Sequence, residues 1–219
     1  MLNIGNNTVT AYDAQGVQQT LASGSFPNLS FPTFAIAYDP ANGWLYVTNH
    51  IVSTVTAYDA QGVQQTLASG SFPNVYYPTG IAYDPANGWL YVVDDNNTVT
   101  AYNAQGAQQS LTGTFPNLND NDPWGIAYDP ANGWLYVANN RNSTVTAYNA
   151  QGVQQTLPTG SFPNLSEPNG IAYDPANGWL YVANNRNSTV TVYNAQGAQQ
   201  TPTGSFPNLS KPDGIAFVP

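Results

Sequence analysis

Tyr83-Asp84-Pro85-Ala86-Asn87-Gly88-Trp89-Leu90-Tyr91-Val92 decides the architecture, because the same ten residues begin again at Tyr38, Tyr128 and Tyr173. A second string sets the period. Thr-Val-Thr-Ala-Tyr begins at Thr8, Thr54, Thr98 and Thr144, and Thr-Val-Thr-Val-Tyr at Thr189, at intervals of 46, 44, 46 and 45 residues. Ser/Thr-Phe-Pro-Asn recurs at Ser25, Ser71, Thr114, Ser161 and Ser205. Self-similarity at this period is the mark of a repeat architecture. No linker or shift of composition interrupts it, so residues 1–219 are expected to form one domain of five copies.

Within a copy, four short strands are predicted. Gly80 to Tyr83 is the first, with small residues suited to a crowded axial position. Trp89 to Val92 is the second, rich in strand formers. Thr98 to Tyr102 alternates with the period of a pleated strand. Ala107 to Leu111 is the fourth, and its polar residues suit an exposed edge. Asp84 to Gly88 and Asn103 to Gly106 are the hairpin turns, where Pro presets φ and Gly supplies a left-handed residue. Four-stranded units repeated radially form β-propellers. The fold class is therefore all-β, a five-bladed β-propeller of four-stranded antiparallel blades.

The chain begins inside a second strand, Leu2 to Ile4, and ends on a first strand, Gly214 to Val218. The two are expected to pair and lock the ring. Trp44, Trp89, Trp134 and Trp179 recur at one position. Packed between blades, each would contribute roughly 4–6 kcal/mol from burial.

Gly170-Ile-Ala-Tyr-Asp-Pro-Ala-Asn-Gly-Trp-Leu-Tyr-Val-Ala-Asn-Asn-Arg-Asn-Ser-Thr-Val190 resembles the NHL-type and YVTN-type propeller repeats, over essentially the whole chain. The resemblance is specific for fold and leaves function open, since such propellers host binding modules, lyases and lactonases. It implies an extracellular or periplasmic location, although no leader segment is visible ahead of the repeats. The copies are alike enough to indicate recent amplification or assembly by design.

Composition narrows the function classes. Net charge is −9, with three Lys and Arg against twelve Asp and Glu, which excludes the phosphate backbone of nucleic acids as a partner. No apolar stretch is long enough for a membrane helix. Cysteine is absent, which removes disulfides, thiol catalysis and Cys-based zinc sites. A monomer is expected.

Successive turns of an antiparallel meander fall at opposite ends. One face therefore carries the repeated Asp-Pro-Ala-Asn-Gly and Ala-Gln-Gly turns, whose aspartates (Asp39, Asp84, Asp129, Asp174, with Asp13 and Asp59) are expected to cap their own turns. The other face carries the differences between copies: the two-three turns, and the links around Phe31, Tyr77, Asp122, Glu167 and Lys211. Before each first strand stands one unlike residue, Thr33, Thr79, Trp124, Asn169 or Asp213, and this axial ring is the candidate ligand site, with Arg141 and Arg186 further out. Phe31, Tyr76, Tyr77 and Trp124 are the aromatic candidates for stacking on a sugar.

Catalytic signals are sparse. His50, the single histidine, stands beside Ile51 and Val52 and reads as a solvated loop residue. The resemblance to propeller lyases asks for catalytic histidine, and that to lactonases for a cluster of Glu, Asn and Asp around a central metal. Glu167 is the sole glutamate. Neither pattern is met, so no catalytic residues are assigned and no enzyme is expected. Calcium, satisfied by carboxylates and carbonyls, is the one cofactor candidate, at Asp94, Asp95, Asp120 and Asp122. Seven Asn-x-Ser/Thr sequons (Asn6, Asn28, Asn96, Asn142, Asn164, Asn187, Asn208) follow from the Asn-rich composition. The expectation is a non-enzymatic repeat scaffold that binds a small molecule, glycan or protein at the variable face. A lectin-like propeller and a propeller lyase or lactonase are the alternatives.

Overall fold

In the computed structural model, all residues are described except 1, 4–7, 13–16, 22–25, 31, 119–120, 159, 203, 205 and 217–219, and for residues 2, 3 and 32–34 the backbone alone. Asp13, Phe31, Asp120, the sequon at Asn6 and the side chain of Thr33 thus lie outside the described residues. Two compact units form, residues 1–96 with 100–109, and residues 97–99 with 110–217.

Every described sheet is antiparallel. In the first unit, β1 (Leu2–Asn3) pairs with β2 (Thr8–Val9). There β3 (Pro32–Asp39), β4 (Trp44–Asn49) and β5 (Thr54–Tyr58) form the next sheet. It is followed by β6 (Pro78–Asp84), β7 (Trp89–Asp94) and β8 (Thr98–Asn103), which spans the boundary of the units. The second unit holds β9 (Pro123–Asp129), β10 (Trp134–Asn139) and β11 (Thr144–Asn149). Its last sheet is β12 (Pro168–Asp174), β13 (Trp179–Asn184), β14 (Thr189–Asn194) and β15 (Gln199–Gln200).

The turns behave as their residues predict. Asp84 Oδ1 accepts the Ala86 N–H at 2.8 Å, and Asp39, Asp129 and Asp174 do the same for Ala41, Ala131 and Ala176. In the three-four turn, Asp59 Oδ1 accepts the N–H groups of Gln61 and Val63, and Asn103 serves Gln105 and Ala107 identically. Only an acceptor oxygen is needed there, which is why Asp and Asn interchange between copies.

Two expectations need correction. The fourth strand is a strand only as β15. Elsewhere it shrinks to single bridges such as Tyr102↔Gln108, with Gln109 N donating to Ala101 O at 2.8 Å. The polar residues also bond to the local main chain: Gln109 Nε2 donates to Ala107 O at 2.7 Å, as Gln200 Nε2 does to Ala198 O at 2.9 Å in β15. Tryptophan is a smaller part of the inter-blade filling than expected. Trp44 and Trp134 do pack against core clusters that join neighbouring copies, but Trp44, Trp89, Trp134 and Trp179 open their strands and are only half-buried, so their share of the burial energy is smaller. The fully buried filler is tyrosine. Tyr46, Tyr58, Tyr91, Tyr102, Tyr136, Tyr148 and Tyr193 are fully buried. In the first unit Tyr46 packs on Phe72 of the next copy and donates its phenol to Ala104 O at 2.8 Å. In the second unit Tyr136 repeats this with Phe162 and Ala195.

The Phe-Pro-Asn string explains its own recurrence. Phe72 lies 5.0 Å from Tyr102, ring to ring, and Asn74 Nδ2 donates to Gln108 Oε1 at 3.0 Å. The strings at Phe26, Phe72, Phe115 and Phe162 each fasten the link in this way to the third and fourth strands that follow it.

The first strands are crowded as their glycines require. A Cβ on Gly125 would stand 2.4 Å from Asn169 O, and one on Gly170 would stand 2.8 Å from Asp213 O. Residues 213–215 thus pack on β12 as β12 packs on β9. Residues 214–216 belong to no strand, and residues 217–219 lie outside the described ones.

Candidate functional site

Each two-three turn of the variable face is stitched to the following link by one side chain. Ser53 Oγ accepts the Tyr77 N–H at 3.0 Å, Ser143 Oγ that of Glu167, and Ser188 Oγ that of Lys211. Asn97 Oδ1 plays the part for Asp122 at 3.2 Å. The link residues held this way, Tyr77, Asp122, Glu167 and Lys211, have φ of 45°, 53°, 46° and 44°. Each precedes a proline, a position that favours extended backbone. Residues of four different chemistries are therefore held in one strained conformation, and such strain concentrates at functional sites.

In the first unit this stitching gathers an aromatic cluster. His50 stands 5.1 Å from Tyr77, ring to ring, and Tyr76 meets Tyr77 edge-on at 4.5 Å. His50 Nε2 lies 3.7 Å from Asp95 Oδ2, and His50 Nδ1 is buried with no hydrogen-bond partner. His50 is thus not the solvated loop residue its neighbours suggest. A histidine-carboxylate pair is present that sequence reasoning missed. Ile51, Val52 and Tyr76 remain exposed around it. Of the axial candidates here, Thr79 is buried with Oγ1 3.5 Å from Val93 O. Asp94 is buried and accepts the Asn96 N–H at 3.1 Å.

In the second unit the axial candidates are joined into a relay. Asn140 Nδ2 donates to Asn169 Oδ1 at 2.6 Å, and Asn169 Nδ2 to Asp213 Oδ1 at 2.8 Å. Asn185 Nδ2 donates to the same Asp213 oxygen at 2.6 Å. Asn169 is buried, and Asp213 and Trp124 are half-buried. Arg186 turns outward to Glu167 at 3.1 Å, an exposed pair of small energetic weight, and Arg141 is exposed.

The sequence reading named one tier, the residues before the first strands. It missed the second, the residue that follows the last residue of each second strand: His50, Asp95, Asn140 and Asn185. Aligning the copies on their Tyr-Val dipeptides exposes this tier. Two of its members bond onward into the next copy, Asn140 to Asn169 and Asn185 to Asp213.

Among the described residues, no group of three or more His, Asp or Glu is placed to hold a metal. Asp94 and Asp95 belong to the first unit and Asp122 to the second, while Asp120 lies outside the described residues. No described helix is long and apolar enough to cross a membrane.

The opposite face repeats one chemistry. Burial, and then the neighbouring Asp39 carboxylate, push the Tyr83 phenol up to about 12. Asp39, Asp84 and Asp129 are themselves buried beneath their turns.

The NHL repeat model matches residues 121–148 and 165–193. No curated protein matches the sequence. Among solved structures, the chain is similar to one in the nidogen/laminin complex, at 17% identity and a TM-score of 0.69 over 87% of this chain and 70% of that one. It is similar to virginiamycin B lyase from Staphylococcus aureus, at 18% identity and 0.66, over 97% and 68%. A gluconolactonase from Xanthomonas campestris gives 20% identity and 0.61, over 83% and 65%. At such identities the likeness speaks for the fold alone, and it agrees with the copies matched by the repeat model. Residues 121–148 and 165–193 are thus matched as NHL repeats, and together with the solved structures they support an NHL-type β-propeller.

Proposed function

We propose that the five copies close into one monomeric five-bladed propeller, an amplified or designed non-enzymatic scaffold that binds a small molecule, glycan or protein at its variable face. The extracellular space or periplasm is its place of work. Closure rests on one relation: residues 213–215 back onto Gly170 as residues 169–171 back onto Gly125. Gly214 to Val218 then supplies the first strand of the blade that holds Leu2 to Ile4.

The observation that carries the binding role is the strained pre-proline residue repeated with different side chains at Tyr77, Asp122, Glu167 and Lys211. A loop free to drift would relax this backbone or fill it with glycine. Asn169, Asp213, Asn140, Asn185 and Trp124 then offer carboxylate, amide and aromatic surface, a mixture suited to hydroxyl-rich ligands. A glycan and metabolite array tests the reading. Binding should be lost in Asp213→Asn or Trp124→Ala and kept in Asn87→Ala on the opposite face. The converse pattern would place the site on the wrong side.

A second reading, an enzyme of the lyase or lactonase kind, draws on the His50–Asp95 pair, since a carboxylate beside an imidazole is how a general base is oriented. The pair is longer than a hydrogen bond and lies among Ile51, Val52 and Tyr76. Assays with streptogramin and lactone substrates should show no turnover. Turnover abolished by His50→Ala would reverse the order of the two readings.

A further inference from the structure

Asp213 orders the amides around it. An ionised carboxylate only accepts hydrogen bonds. Asn169 Nδ2 donates to Asp213 Oδ1 at 2.8 Å, and Asn185 Nδ2 donates to the same oxygen at 2.6 Å. With its nitrogen committed to Asp213, Asn169 turns its Oδ1 the other way, where Asn140 Nδ2 donates to it at 2.6 Å. Two two-three turns and one link thus send amide side chains toward a single carboxylate, and Asn169 among them is buried.

Asp213 Oδ2 is left over. Among the described residues, no hydrogen bond reaches it and no cation pairs with Asp213. Arg186 is spent on Glu167 at 3.1 Å, and Arg141 and Lys211 are exposed. These three are all the lysines and arginines of the chain. Amide hydrogens lower the cost of drawing a charge out of water but do not neutralise it. A half-buried negative charge therefore keeps an acceptor oxygen open.

The polarity of the relay says which cation fits. A hard metal ion takes oxygen ligands. Asn169 and Asn185 present N–H groups to Asp213 instead, and Asn169 Oδ1 is already taken by Asn140. A protonated amine brings donors and no acceptor, which matches an oxygen that lacks a donor. Its charge-assisted bond is stronger than that of a neutral hydroxyl. Trp124 lies on β9, next to the Gly125 at which a Cβ would stand 2.4 Å from Asn169 O. An indole is the aromatic that best faces a cation. We infer that Asp213 Oδ2 selects protonated primary amines on hydroxylated small molecules, the chemistry of an amino sugar. This selectivity presupposes the binding role proposed for the variable face.

Isothermal calorimetry of the full chain with glucosamine, N-acetylglucosamine and glucose tests the selectivity. Glucosamine should bind roughly tenfold tighter than either neutral sugar. Asp213→Asn, which keeps the size and removes the charge, should bring glucosamine down to the level of glucose while circular dichroism stays native. In the parent protein the preference should shrink as ionic strength rises from about 0.02 M to about 0.5 M, a readout that needs no variant. Asn87→Ala should keep the preference. Equal binding of all the sugars, weakened together by Asp213→Asn, would overturn the amine selectivity and leave the binding face standing. A preference for glucosamine that survives Asp213→Asn and high salt, yet is lost in Asn87→Ala, would overturn both. No glucosamine binding in the millimolar range would leave Asp213 as a clasp between residues 213–215 and β12 and overturn the inference, while the glycan and metabolite array decides the binding face by itself.

Discussion

The phenol of Tyr58 donates a hydrogen bond to the carbonyl of Pro27 at 2.6 Å, across thirty-one residues of chain. Tyr102 does the same to Pro73 and Tyr148 to Pro116, each at 2.6 Å. The bond joins a buried strand residue to the link that enters its blade. Tyr102→Phe should therefore cost about 1 kcal/mol in urea unfolding, the net worth of one hydrogen bond. A cost within experimental error would show that water replaces the phenol without loss.

Burial pushes the phenols of Tyr46, Tyr91 and Tyr102 up to about 12 from an ordinary value of 10.0, opposed in part by hydrogen bonds from Asn42, Asn87 and Thr100. The unfolded chain ionises first, so folding is linked to keeping these groups protonated. Their contribution is complete below pH 10 and is lost as pH rises from about 10 toward about 12. Absorbance at the phenolate band should rise in step with the loss of circular dichroism. Titration of all fifteen tyrosines near pH 10 in a still-folded protein would contradict this.

Gly106 should be harder to replace than Gly88. Both have left-handed backbones, φ 76° and 72°. A Cβ on Gly106 would stand 2.7 Å from Ser71 Cβ and 2.8 Å from the Phe72 ring, whereas Gly88 faces nothing within 4 Å. Gly88→Ala should cost about 1 kcal/mol from backbone strain alone, and Gly106→Ala clearly more. Equal costs would mean that the Phe72 link moves aside freely.

Deleting residues 213–219 should lower Tm sharply or produce oligomers in native mass measurement. Asn169 and Asn185 would lose the Asp213 carboxylate they donate to, and the proposed closing strand would be gone. A truncated chain as stable and as monomeric as the full one would mean that the N-terminal strands need no partner from the C-terminus.

The strands and hairpin turns were legible because local chemistry determines them. Trp89 to Val92 reads as a strand and extends to Asp94, and Asp84 caps the turn it was expected to cap. The fourth strand was overestimated because its ladder to the third ends at the Tyr102↔Gln108 bridge and the bond from Gln109 N to Ala101 O. Trp89 was overvalued because size alone does not tell which end of a strand a residue holds. Tyr91, two residues further in, has the central place. The His50–Asp95 pair escaped notice because its members stand in different copies, in loops of unequal length. The axial ring was half legible: Asn169 and Asp213 do meet, while Asn140 and Asn185 were hidden among loop residues.

The Asn-Gly turn also governs how the protein ages. Asparagine before glycine loses ammonia when the glycine nitrogen attacks the side-chain carbonyl carbon, and Asn42, Asn87, Asn132 and Asn177 all precede glycine. In the folded turn, Asn42 Oδ1 accepts the Trp44 N–H at 2.8 Å and Nδ2 donates to Tyr46 Oη at 3.0 Å, while the Gly43 N–H is engaged by Asp39 O at 2.9 Å. Nucleophile and electrophile are each tethered elsewhere. Asn87, Asn132 and Asn177 are tied in the same way. Isoaspartate at these positions therefore accumulates in proportion to the fraction of time the turn is open, and it serves as a slow chemical record of local unfolding.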